Sequence, residues 1–108
     1  MEEKEIYKLH ADFCKFMGNP KRIEILFLLG KDECCVEELA QKMEVSVSNV
    51  SQNLSVMKAK GVVESRRDGT RIYYRLADPR ILETCITMRE IMLEQAQLKV
   101  ETISRGEL

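Results

Sequence analysis

The sequence predicts a mainly α-helical chain with one small β-hairpin, and three observations carry that expectation. Apolar residues recur at helical spacing in five segments, most of them bounded by residues that start or stop helices. Asp68-Gly69 stands between two short runs that can be strands, and Asp-Gly is a strong hairpin signal. The 108 residues, 44% apolar and 32% charged, suffice for a single domain (1–108) with a modest core.

The elements follow in order. Glu3 to Met17 reads as a helix with Ile6, Leu9, Phe13 and Phe16 or Met17 on one face. Gly18-Asn19-Pro20 breaks it, since Asn19 is a good N-cap and Pro20 is pre-shaped for the first helical position. The helix from Pro20 to Leu29 is apolar nearly all round after its first turn, which marks it as the central buried helix, and Gly30 stops it. Val36 to Met43 presents Val36, Leu39, Ala40 and Met43 inward. Glu44-Val45-Ser46 is a short turn, with Glu44 where glycine often stands. Val47, Val50, Leu54 and Met57 then form an apolar stripe behind the N-cap Ser46. Gly61 ends that helix. Val62 to Arg66 can run as a strand, Arg67 to Thr70 as the turn, and Arg71 to Leu76 as a second strand. Asp78 caps and Pro79 starts a last helix, whose stripe includes Ile81, Leu82, Cys85, Ile86, Met88, Met92 and Leu93.

The outer face of the Ser46–Lys60 helix carries Ser48, Asn49, Ser51, Gln52, Ser55 and Lys58. A merely solvated helix usually prefers Glu, Lys and Arg, which are better helix formers than Ser and Asn. Short amides and hydroxyls suit the base edges and phosphates of a DNA major groove. Two helices over 36–60 followed by a basic hairpin over 62–76 make a winged helix-turn-helix of five helices and a two-stranded wing. Net charge is −1 overall, but residues 46–75 hold six Lys or Arg against two acids, while both flanks are acidic. That asymmetry is the footprint of a DNA binder. The expected contacts to double-stranded DNA are Ser46, Ser48, Asn49, Ser51, Gln52, Ser55, Lys58, Arg66, Arg67, Thr70 and Arg71.

The first and last helices (1–17 and 79–100) have apolar faces that the wing region cannot cover. A homodimer through Ile6, Leu9, Phe13, Ile81, Cys85, Met88 and Met92 would hide them, and would read a palindromic operator. No run is long and apolar enough for a membrane span, and the acidic start lacks the apolar core of a secretory signal, so a cytoplasmic location is expected, with no membrane partner. An enzyme is disfavoured: one histidine and no glycine-rich phosphate loop leave no catalytic constellation. A winged helix used for protein contacts remains the other reading.

Gly18-Asn19-Pro20-Lys21-Arg22-Ile23-Glu24-Ile25-Leu26 resembles the opening of the ArsR/SmtB family of prokaryotic repressors. So do Val36 to Ala40, Ser46 to Leu54 and Gly69 to Leu76, and the likeness runs in order over roughly residues 10 to 96. The resemblance implies a homodimeric winged-helix repressor, joined through its first and last helices and released from DNA by an inducer that is often a metal ion. The family's metal sites do not carry over cleanly. Cys35 matches the first cysteine of the arsenic and cadmium sensors' C-x-C pair, but Glu37 stands at the second. Asp78 and Glu94 match carboxylates of the zinc sensors, while Arg80 and Ile91 fill both histidine positions. Two carboxylates alone make a poor zinc set, so zinc at the last helix is not expected.

Four cysteines, at 14, 34, 35 and 85, lack C-x-x-C spacing, and a reducing compartment argues against a disulfide framework. Cys35 sits where Ser or Thr would cap a helix, with Glu38 three residues on. A helix N-terminus lowers a thiol's pKa, and the acids around it raise the pKa; the sequence leaves these effects opposed. Cys34 and Cys35, with Cys14 as a possible third ligand, are the candidate site for a thiophilic ion such as As(III) or Cd, or for an oxidant. Plain burial is the competing reading for each cysteine, and for Cys14 and Cys85 the favoured one. No other cofactor is expected.

Overall fold

Among residues 1–106, which the computed structural model describes, five helices and three strands follow in the order α1 (Glu3–Met17), α2 (Pro20–Lys31), β1 (Cys34–Cys35), α3 (Val36–Met43), α4 (Val47–Ala59), β2 (Val63–Asp68), β3 (Arg71–Leu76) and α5 (Arg80–Ser104). The chain divides into two units, Met1–Asp78 and one that begins at Pro79. The first is a mainly helical winged helix-turn-helix.

Cap chemistry sets the helix starts. Asn19 accepts hydrogen bonds from the backbone N–H groups of Lys21 and Arg22, and Pro20 opens α2. Ser46 Oγ accepts from Asn49 N–H at 3.1 Å. At the end of α4, Gly61 takes φ +76°, and Gly61 and Val62 donate back to Lys58 and Met57. This left-handed cap turns the chain into the wing. The same hydrogen-bond pair closes α3, where Glu44 and Val45 donate to Gln41 and Ala40. Glu44 takes φ +57° there without glycine's freedom. The left-handed region costs a side-chain residue ~1–2 kcal/mol, and glycine returns part of that as unfolded-chain entropy. Glu44→Gly is therefore expected to stabilise the protein by roughly 0.5–1 kcal/mol in urea unfolding. A loss of stability would mean that the Glu44 side chain contributes more than its backbone strain costs.

The core of the first unit joins Ile25 and Leu26 of α2, Leu39 of α3, Val50, Leu54 and Met57 of α4, and Val63 of β2, all with essentially no exposure. Leu→Ala deletions at fully buried sites of this kind typically cost ~2–5 kcal/mol, so this cluster is a main source of the unit's stability.

Several boundaries differ from the sequence expectation. The wing is not two-stranded: β1 adds a third strand, and the order β1-β3-β2 puts β3 in the centre. Cys34 pairs with Tyr74 and Cys35 with Tyr73. Two residues are too few to show alternation, so this strand is defined only by its partner. Gly30 does not stop α2, which continues to Lys31 and ends at Asp32. A glycine near a helix end weakens it by about 1 kcal/mol and need not break it. Arg67 and Asp68 belong to β2, leaving Gly69 (φ +64°) and Thr70 as a two-residue loop. The last helix begins at Arg80, with Pro79 as its cap.

Considered by itself, α5 has no buried side chain; Ile81, Leu82 and Cys85 are half-buried, while Met88, Ile91, Met92 and Leu93 are exposed. In α1, Phe16 and Met17 are buried, Phe13 is half-buried, and Ile6 and Leu9 are exposed.

Candidate nucleic-acid interface

One open surface of α4 is lined by Val47, Ser48, Ser51, Gln52 and Ser55. The apolar stripe puts Val47 in the core, yet it is 48% exposed. Periodicity gives direction, not depth. Val47 lies within ~60° of Val50 around the axis, but it is the first residue of the helix, one turn outside the packed stretch. Its methyl groups share a face with the serines, where an apolar group can meet a thymine methyl.

The two flanks of this surface are held differently. On one flank, Lys58 Nζ donates to Ser65 Oγ at 2.7 Å and ties the helix to β2. On the other, Asn53 Nδ2 donates to Asn49 O at 3.0 Å and to Asn49 Oδ1 at 3.3 Å. Arg22 Nε donates to Asn53 Oδ1 at 3.2 Å and Arg22 Nη1 to Phe16 O at 3.0 Å. Asn49 is half-buried in consequence, while Ser48, Ser51, Gln52 and Ser55 are exposed. Residue type and helical face alone miss Asn53 and Arg22. Their available signals were the i, i+4 spacing of Asn49 and Asn53, and an arginine inside the Gly18–Leu26 motif.

The wing arginines are not equivalent. Arg66 forms an ion pair with Glu33, its Nε donating to Oε1 at 2.7 Å, and its guanidinium lies 4.8 Å over the Tyr73 ring. Glu33 raises the Arg66 pKa further above its ordinary value. Arg75 pairs with Glu64 at 2.9 Å. Among the described residues, Arg67 and Arg71 have no carboxylate within ion-pair distance. Arg67 and Thr70 are exposed at and beside the hairpin tip. Of the arginines expected to hold DNA, Arg67 and Arg71 can thus take a phosphate directly, whereas Arg66 must exchange a carboxylate for one.

Cys34 and Cys35 are fully buried where β1 meets α3. The Cys35 thiol donates to Glu38 Oε1 at 3.0 Å, and the Cys35 and Glu38 backbones complete a capping box. Burial, then the Glu38 carboxylate, pushes the Cys35 thiol above its ordinary pKa, the direction in which the surrounding acids act and opposite to that of the helix N-terminus. The hydrogen bond from Cys35 correspondingly lowers the pKa of Glu38. Arg71 Nη1 approaches Cys35 Sγ at 3.8 Å, and Lys42 Nζ approaches Cys34 Sγ at 3.6 Å. Cys14 is exposed on α1. Among the described residues no three His, Cys, Asp or Glu side chains form a metal-binding group, so Cys14 is not brought to the pair as a third ligand. Burial alone raises the Cys85 thiol. No described helix is long and apolar enough to cross a membrane.

Residues 19–65 match the family model described as bacterial regulatory protein, arsR family. The chain is 40% identical over 93 residues to the uncharacterized HTH-type transcriptional regulator Rv0081 of Mycobacterium tuberculosis, covering 85% of this chain and 82% of that one. The crystal structure of Rv0081 superposes with a TM-score of 0.81 at 37% identity, covering 93% of this chain and 99% of the other. The HTH-type transcriptional repressor SmtB of the same organism is 37% identical over 75 residues, 69% of this chain and 56% of that one. The homodimeric winged helix-turn-helix DNA-binding domain of Mb0332 from Mycobacterium bovis superposes with a TM-score of 0.74 at 32% identity, covering 88% and 93%.

Proposed function

The chain belongs to the arsR family of bacterial regulatory proteins and is a DNA-binding transcriptional regulator of that kind; from this premise we propose that it is a homodimeric repressor of a palindromic operator, released by a thiol-directed signal. The observation that carries the proposal is the open face of α4, whose exposed side chains are Val47, Ser48, Ser51, Gln52 and Ser55 with no carboxylate among them. Behind it, Val50, Leu54 and Met57 are fully buried and seat the helix on the core. In a two-fold dimer, two such helices would enter successive major grooves ~34 Å apart.

Base reading and phosphate holding separate experimentally. Arg67→Ala is expected to weaken binding to all duplexes alike and to reduce the salt slope by about one unit. Gln52→Ala is expected to change sequence preference, with ~1–3 kcal/mol of discrimination lost at the affected base pair. Titration of operator and mixed-sequence duplexes over a range of salt concentrations measures both. Wild-type protein with no salt-dependent affinity for any duplex would instead favour a winged helix used for protein contacts.

The signal is assigned to Cys34 and Cys35 because they sit in β1, hydrogen-bonded to the central wing strand, and directly before α3, which packs against α4. A thiophilic ion such as As(III) or Cd, or an oxidant, acting there would reach both halves of the reading head.

A further inference from the structure

Arg22 has an unusual set of partners. The residue is half-buried, and its guanidinium contacts the Asn53 amide oxygen, the Phe16 carbonyl and, at 4.5 Å, the Phe16 ring. All three are neutral. Lys60 places its ammonium 5.7 Å from the same ring. Among the described residues neither cation has a carboxylate within ion-pair distance, whereas Arg66 and Arg75 both do. Two cations gathered on one aromatic ring repel each other, and neutral acceptors do not offset that repulsion as an anion would.

The place of this pair suggests the anion. Arg22 lines an open groove with Gln52, Asn53, Ser55 and Val56, so the groove shares Gln52 and Ser55 with the reading face. At 3.6 residues per turn, Asn53 and Lys60 lie about 20° apart around α4, while Lys58, which reaches the wing, lies about 140° from Asn53. The cations therefore flank the reading face on the side opposite the wing. A helix in the major groove, about 12 Å wide, has a phosphate backbone on each side. We propose that Arg22 and Lys60 form a second phosphate-binding site for DNA, gripping the backbone across the groove from the one the wing holds. Arg22 would keep its bonds to Asn53 and Phe16 and offer its remaining N–H groups to a phosphodiester oxygen. The same chain, Arg22 to Asn53 to Asn49, would then set the reading face relative to that backbone.

This inference rests on the DNA-binding reading, and the test separates the two. The probe is a mixed-sequence duplex about three helical turns long, bound by the 108-residue chain over a range of salt concentrations. Arg22→Gln is expected to lower the slope of log affinity against log salt by about 0.9 for each phosphate it no longer neutralises. Arg22→Lys should recover the slope, because it restores charge without the fork of hydrogen bonds. Lys60→Gln, at an exposed position, should lower the slope without changing thermal stability. Arg75→Gln, whose wild-type side chain is already paired with Glu64, should change it least. A wild-type slope in folded Arg22→Gln, or in Lys60→Gln should Arg22→Gln fail to fold, overturns the site while leaving the wing's role intact. Absence of salt-dependent binding by the wild type overturns the DNA reading itself.

Discussion

Met92→Glu is expected to convert a dimer into monomers. Met88 and Met92, four residues apart on α5, are each 55% exposed in the single chain, and Ile81 and Cys85 continue the same stripe towards the helix start. Ile91 and Leu93 widen it. On α1, Ile6 and Leu9 are similarly uncovered. Scattered apolar residues on a surface need no explanation, but a continuous stripe along a 25-residue helix does. A second copy of the chain is the proposed cover for each face. A glutamate there would be buried without a partner on assembly, at a cost of several kcal/mol, enough to raise the dissociation constant by two orders of magnitude or more. Sedimentation at micromolar concentration should give a wild-type dimer and a Met92→Glu monomer. Because the substitution lies far in sequence from α4, the monomer should keep its helical circular dichroism yet lose tight operator binding. A wild-type monomer in that experiment would remove the two-fold operator as well as the interface.

The helices and the hairpin were legible because local chemistry fixes them. Asn19-Pro20 and Ser46 start helices, Gly61 turns one into the wing, and Asp68-Gly69 closes the hairpin, each through bonds spanning a few residues. The serine- and glutamine-bearing face of α4 was legible for a different reason. Residue types there run against helix propensity, and such a conflict points to a function. Long-range partnerships were not legible. Glu33 meets Arg66 across 33 positions, Arg22 meets Asn53 across 31, and β1 exists only because β3 lies beside it. Composition counted six cations in 46–75 as one positive head, but pairing with Glu33 and Glu64 divides them into held and free charges. Val47 shows the remaining limit, since a periodic stripe does not say where along a helix the packing stops.

Loss of the response to arsenite and peroxide is the result expected of a Cys34→Ser, Cys35→Ser double variant. In wild type, either agent should weaken operator binding by roughly 5- to 150-fold, the range of an ordinary coupling energy of ~1–3 kcal/mol. The reason lies in strand geometry. Neighbouring residues of a strand point to opposite faces, so two thiols in β1 cannot both ligate one ion while β1 stays paired with Tyr73 and Tyr74. A disulfide between them meets the same obstacle: adjacent Cα atoms are ~3.8 Å apart, and unstrained bridges need roughly 4.4 Å or more. Joint reaction at the pair therefore requires β1 to leave β3. That would free Arg71 from Cys35 and loosen the start of α3 behind the reading helix. The protonated state of Cys35 sets the pH dependence. Its pKa is raised in the folded protein, so the thiolate fraction is small at neutral pH and grows as pH rises; reaction should quicken with rising pH, and should do so at higher pH than for a free cysteine thiol. The double variant should fold, since a serine hydroxyl at 35 is a better helix cap than a thiol, and at 34 it can donate to Asp32 O as the thiol does. Equal responses from wild type and variant, or none from either, would make the pair structural. In the first case Cys14 or Cys85 would carry the signal; in the second the regulator would need no thiol ligand.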